Sequence, residues 1–198
     1  MTQLAEPHSM LWTRELYATA TESGIFGDRR LELIEGEIIE MSPMSSKHGM
    51  VIHLVQKVLE RVFTDGYLVV TQTPLDLGAL SEPQPDVMIC TGTEDDYMDS
   101  PPTHALLVVE VADSSLRYDR GQKASLYAKA GIEDYWIINL KDGTLEVYHT
   151  PMATPAQSHS HGYKVVSSLK AQDSVSPVAA PEAQISVAEL LPTTGRAL

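Results

Sequence analysis

Apolar residues along the chain recur with two different periods, and together they lay out an alternation of helices and strands. The clearest stretch is 47–63, where Val51, Leu54, Val55, Val58, Leu59 and Val62 repeat at three- and four-residue spacing. That spacing predicts a helix with one apolar stripe, capped by Ser45 or Ser46. Upstream, Thr13 can cap a short helix that ends near Gly24. Residues 31–41 alternate apolar and acidic side chains about Glu35-Gly36, which predicts a β-hairpin. Strands are also expected at Tyr67–Thr71 and Thr73–Leu77, with Pro74 at an edge or bend.

Asp86–Cys90 and Ala105–Ala112 are nearly continuous apolar runs, the pattern of central strands covered on both faces. The acidic segment between them, GTEDDYMDSPPTH, predicts a surface loop. Asp119 is expected to cap a helix ending at Gly131, with Leu126, Tyr127 and Ala130 facing inward. Strands at Asp134–Leu140 and Leu145–His149 then flank a turn at 141–144. Residues 150–162 have loop composition, Tyr163–Leu169 predicts a strand, and Ser186 with Glu189 is a capping-box signal for a last short helix. With no internal repeat, the expectation is one α/β domain over 1–198 with a mixed central sheet. Its core lies at about 10–150, and a strand and helix extend it over about 163–192.

Composition agrees with a packed domain. The chain has 198 residues, of which 43% are hydrophobic, and no apolar run approaches the roughly 20 residues of a membrane span. The first ten residues lack the basic start and apolar stretch of a secretory leader. The single cysteine, Cys90, sits in an apolar run and is expected to be a core residue rather than a disulfide partner. These features predict a cytoplasmic protein. The formal net charge of −13 argues against strong binding of long duplex DNA by an isolated subunit, because phosphate binding rests on Lys and Arg. Four bases (Arg117, Arg120, Lys123 and Lys129) fall within 117–129 against one acid, Asp119, so a local basic face is expected there.

Two acids attract notice because each sits at the end of an apolar strand. In the second strand Leu107, Val109 and Val111 share one face, and Leu106, Val108 and Glu110 the other. In the first, Asp86 follows Pro85 and precedes Val-Met-Ile. If the strands pair, both carboxylates can converge on one Mg²⁺ (or Mn²⁺), which favours oxygen ligands. The alternative is two strand-end acids facing solvent, and spacing alone does not choose between them.

Glu32-Leu33-Ile34-Glu35-Gly36-Glu37, Met41-Ser42-Pro43, His48-Gly49, Pro85-Asp86, Val109-Glu110-Val111, Asp119…Lys123…Tyr127 and Gly131-Ile132-Glu133-Asp134-Tyr135-Trp136 follow one another in that order. The ordered set resembles the Uma family of restriction-endonuclease-like proteins, placed in the PD-(D/E)XK nuclease superfamily, over roughly residues 10–150. The resemblance implies a restriction-endonuclease-like fold and Mg²⁺-dependent hydrolysis of phosphodiesters, with nucleic acid, DNA foremost, as partner, and a homodimer. It implies Asp86 and Glu110 as metal ligands and Glu32 as a third acid. The chain departs from the superfamily at Ala112, where a lysine that orients the attacking water is expected.

Lys123 is the foremost replacement, on a helical face with Asp119 and Tyr127. That arrangement is similar to the QxxxY pattern of RecB-like nucleases. The competing role for Lys123 is an ion pair with Asp119, and Lys47 is a weaker substitute. Gln72 and His48 are supporting candidates for phosphate or metal-water contacts, each balanced by an ordinary strand or capping role. His53 does not share a face with His48. His159 and His161 read as loop residues rather than a metal pair, and Tyr135-Trp136 as core or interface aromatics rather than base-stacking groups. Rival functions are a catalytically degenerate nuclease-fold binding or assembly module and a hydrolase of smaller phosphoesters.

Overall fold

The computed structural model describes residues 9–192; the sequence readings that concern residues 1–8 and 193–198 lie outside them. Helix α1 (Arg14–Glu22) begins at Thr13, whose side chain accepts from the Leu16 backbone. Strands β1 (Leu31–Ile34) and β2 (Glu37–Glu40) form an antiparallel hairpin. Glu35 and Gly36 both take positive φ in its turn, the backbone twist that two-residue hairpin loops require. Tyr17, Leu31 and Leu33 pack with Trp12, Phe26 and Ile38, fastening α1 to this hairpin. An isolated bridge from Leu33 to Glu82 ties the hairpin to the segment before the next strands.

The central sheet has the order β3-β4-β5-β6-β7-β8, comprising β3 (Tyr67–Thr71), β4 (Val87–Thr91), β5 (Leu107–Ala112), β6 (Asp134–Asn139), β7 (Thr144–Ala153) and β8 (His161–Leu169). Only β5 and β6 run parallel; the other neighbours are antiparallel. This is the expected mixed α/β sheet, and the parallel pair needs a crossover. The crossover is helical: α3 (Leu116–Tyr118), a π-helical turn (Asp119–Lys123) and α4 (Ala124–Lys129). On the opposite face lies α2 (Ser46–Glu60), capped by Ser45. A two-stranded sheet, β9 (Ser174–Val175) with β10 (Ile185–Ser186), and α5 (Val187–Leu190) complete the described chain.

Strand alternation sorts the core into two layers. Leu107, Val109, Val111, Trp136 and Ile138 meet Val51, Val55, Val58 and Leu59 of α2. Val108, Ala112, Tyr135 and Ile137 meet Ala124 and Tyr127 on the crossover side. Leu106 precedes the strand and packs with the α2 layer, not with Val108 as the alternation predicted. Cys90 is fully buried. Tyr135 and Trp136 have no exposed surface, which excludes them as base-stacking groups.

Four expectations fail for identifiable reasons. Thr73–Leu77 is not a strand; its backbone is turned to loop partners, Leu75 N to Pro83 O and Asp76 N to Pro102 O. Asp119 is not a cap, since the helix begins three residues earlier after Ser115. Residues 150–153 and 161–162 are strand rather than loop, because Pro151, Met152 and Ala153 pair with Tyr163, Gly162 and His161. The β6 register ends at His149, so Pro151 lacks no ladder partner there. At the last helix, Ser186 caps by position without a side-chain hydrogen bond, and Glu189 pairs with Arg61 instead.

Of the predicted basic face, only Arg117 is exposed without an acid partner among the described residues. Arg120 donates two hydrogen bonds to Glu146, at 2.9 and 2.6 Å, Lys129 pairs with Glu35 and Lys123 is buried. Burial alone would raise the Glu146 carboxyl, but Arg120, Asn139 and Tyr148 outweigh it and hold the group below its usual range. The stability this network contributes is therefore present above the ordinary glutamate pKa and is lost as pH falls through the lowered one. Arg120→Ala is expected to cost about 1.5–3 kcal/mol at pH 7, with the difference from wild type shrinking below pH 4, as read by urea unfolding at both pH values.

Candidate active site

The two strand-end acids line one pocket, brought there by the antiparallel pairing of β4 and β5, whose register sets Val87 opposite Val109 and so Asp86 beside Glu110. Pro85 holds the chain as it enters β4, and the Gln72 backbone N–H donates to Pro85 O at 3.0 Å. Asp86, 5% exposed, is thereby set facing β5. Its Oδ2 accepts from Val111 N at 2.8 Å and lies 3.0 Å from His48 Nε2. His48 reaches it from the first turn of α2, whose cap Ser45 accepts from the His48 backbone. This histidine is thus a partner of the acid.

Glu110 projects from β5 to the crossover side, where Oε1 accepts from Lys123 Nζ at 2.9 Å and Tyr127 Oη at 2.7 Å. Lys123 Nζ also donates to Glu32 Oε1 at 3.1 Å. It makes no ion pair with Asp119, its expected rival partner. The π turn explains the difference: the Ala124 N–H reaches back to Asp119 O, inserting one residue into the helical repeat. Such turns recur at functional sites, and here Asp119 and Lys123 are both buried within it. Asp119 instead accepts from the Ser115 hydroxyl at 2.6 Å.

Glu32, Asp86, Glu110, Asp119, His48 and Lys123 all line one pocket of about 300 Å³. Gln72 does not: it is exposed, with positive φ, and its side chain reaches only the Met44 sulfur at 3.9 Å. Lys47 is likewise exposed and outside the pocket, and His159 and His161 lie at the β7–β8 hairpin away from it. Sequence reasoning missed Arg30, Ser115 and Tyr118, which line the pocket from loop and helix-start positions. No spacing signal marks those positions.

Four carboxylates thus surround one ammonium. Burial pushes Glu110 well above the usual range, with Lys123 opposing and the neighbouring acids reinforcing. Asp119 is pushed up to about 6 by burial, against the pull of Lys123 and Ser115. Burial disfavours the Lys123 cation, but Glu110, Glu32, Asp119 and Asp86 together raise it well above an ordinary lysine. Among the described residues no three His, Cys, Asp or Glu side chains stand grouped as a ready metal cage. The donor set nevertheless fits a hard cation. It consists of carboxylate oxygens in negative excess, and Glu32 Oε2 is buried without any hydrogen-bond partner.

The raised Asp119 gives a signed pH dependence. Its protonated form is favoured in the fold, so its contribution is full below the unfolded value of 3.8 and is lost as pH rises through about 6. Asp119→Asn is therefore expected to gain stability relative to wild type between pH 4 and pH 7. The gain is on the order of a few kcal/mol without added metal and is measured as the difference in Tm across that range. A constant difference would contradict the assignment.

With this geometry described, comparison with known proteins becomes informative. No curated protein matches the chain. A crystal structure from Anabaena variabilis, described as a putative nuclease belonging to DUF820, superposes with a TM-score of 0.63 at 19% identity, covering 82% of this chain and 90% of the other. That likeness supports the fold. The family model named Uma2, described as "Putative restriction endonuclease", matches residues 16–188, a span that includes every residue of the acidic pocket; the chain belongs to that family.

Proposed function

We propose that the protein is a divalent-cation-dependent endonuclease that hydrolyses phosphodiester bonds in nucleic acid, with DNA the expected substrate. The observation that carries this reading is the convergence of Asp86, Glu110 and Glu32 from three separate segments on one pocket, with a lysine among them. The family description, "Putative restriction endonuclease", supports it, and the neighbour described as a putative nuclease shares the fold.

Asp86 and Glu110, with Glu32 as a third acid, are the residues to hold Mg²⁺ or Mn²⁺. The bound cation supplies a water of lowered pKa and neutralisation of phosphate charge. The chain's own groups do the rest. Val111 N–H and His48 orient Asp86, while Tyr127 and Lys123 orient Glu110. Lys123, raised as it is, stays protonated at neutral pH. It therefore acts as a hydrogen-bond donor and fixed positive charge near the reacting phosphate, the role left vacant by Ala112. Arg30 at the pocket wall is placed to meet phosphate. With a net charge of −13, affinity for long duplexes is low for one subunit, and cutting both strands calls for a homodimer.

One observation favours a second reading, a degenerate nuclease fold kept as a binding or assembly module. The carboxylate oxygens Asp86 Oδ2 and Glu110 Oε1 are already engaged by protein donors, and no cage is preformed among the described residues.

Titration with Mn²⁺ separates the two. The endonuclease reading expects a rise in Tm that Asp86→Ala removes, and cleavage that Glu110→Gln abolishes while the protein stays folded. Lys123→Ala is expected to lower the rate about tenfold or more. It should also lower stability by about 3–5 kcal/mol, since it strands two buried acids. No change in Tm with Mn²⁺, and none on Asp86→Ala, would leave the module reading standing.

A further inference from the structure

Three buried side-chain polar atoms among the described residues have no hydrogen-bond partner: Glu32 Oε2, Tyr118 Oη and His159 Nε2. Two of them, Glu32 and Tyr118, line the same acidic pocket. Buried polar groups are almost always satisfied, by protein, water or ligand. One orphan here accepts and the other donates, so a guest that offers both a positive centre and an anionic oxygen would satisfy both. A cation-bound phosphate is such a guest, and Glu32 Oε2 faces its cationic half.

We propose that Tyr118 is a further catalytic residue: its hydroxyl donates a hydrogen bond to a non-bridging oxygen of the scissile phosphate. The inference rests on the phosphodiesterase reading above. Beside Tyr118, Ser115 is committed to Asp119, His48 to Asp86, and two of the three Lys123 N–H groups to Glu32 and Glu110, which leaves Tyr118 and Arg30 among the donors open to a phosphate. Tyr118 stands immediately before the π turn, on the short helical segment that opens the crossover, so the turn that buries Lys123 also sets the tyrosine beside it. Burial and the nearby acids push the phenol up to about 12, so it keeps its proton and remains a donor. A developing negative charge on a phosphoryl oxygen is the acceptor that gains most from such a donor.

Tyr118→Phe in the full chain tests this, because it removes one oxygen that no protein group holds and should leave the fold intact or slightly firmer. The expected results are a fall in kcat of about a hundredfold with KM nearly unchanged, and an undiminished Mn²⁺-induced rise in Tm. Affinity of the Ca²⁺-loaded protein for inorganic phosphate should fall about tenfold or more. The penalty of the variant should shrink on a substrate with sulfur at the non-bridging position, since sulfur accepts hydrogen bonds poorly. Wild-type kcat and wild-type phosphate affinity in the variant would overturn the role and leave a water bridging Tyr118 and Glu32 as the occupant. If wild type cleaves nothing yet Tyr118→Phe still weakens phosphate binding, the endonuclease reading fails while Tyr118 keeps its place. Absence of phosphate binding in wild type, with equal turnover in both, would remove the inference alone.

Discussion

One ammonium group, that of Lys123, joins the parts of this molecule that form its acidic pocket. It is 1% exposed and donates to Glu32 on the hairpin and Glu110 on β5. An ion taken so far from water is tolerated only where opposite charge and hydrogen bonds replace its hydration. Here they come from two elements far apart in the sequence, the hairpin and β5. The hairpin is also held by backbone bonds from Gly36 N to Leu80 O and Glu82 N to Leu33 O, by Ser81 at Glu35, and by the Lys129–Glu35 pair. The lysine is thus one fastening of the hairpin among several, and the electrostatic centre of the pocket. Removing it would leave two carboxylates facing each other without water.

The cost of that arrangement shows in the surrounding groups. Burial raises Glu110 and Asp119 above their ordinary values, and one lysine does not neutralise four acids. Frustration of this kind is common where a fold gives up stability for chemistry. Elsewhere among the described residues, His159 Nε2 apart, the buried side-chain polar atoms have partners. Asp134 receives Trp136 Nε1, His149 and Val178 N, and Glu146 receives Arg120, Asn139 and Tyr148. The contrast marks the pocket as the place where buried acids outnumber the cation that holds them.

The chain's overall acidity is uneven in its consequences. The cations that sequence spacing gathered on one helix are mostly spent on internal pairs, with Glu146, Glu35 and Glu110. Positive charge at the pocket wall comes instead from Arg30, contributed by the loop before β1. A surface so organised favours close contact with one phosphate group over long-range attraction to a polyanion.

Much of the architecture was legible in the sequence because it follows from local periodicity. The stripe on α2, the Glu35-Gly36 turn and the alternation along β5 each set which side chains face inward, and so placed Glu110 opposite Val109 and Val111. The ordered motifs likewise brought Asp86, Glu110 and Lys123 together as candidates. Sequence did not disclose that Lys123 bonds Glu32 and Glu110 rather than Asp119. That depends on the extra residue accommodated in the π turn and on where the hairpin docks, both properties of packing between distant segments. Nor did it disclose the strand pairing across Pro151, the loop course of Thr73–Leu77 or the unpartnered hydroxyl of Tyr118. Each depends on which backbone or side-chain partners the folded chain brings within about 3 Å, and local pattern carries no record of that. Asp86 and Glu110 were thus named by sequence, and tertiary structure brought them to one pocket with Glu32 and Lys123.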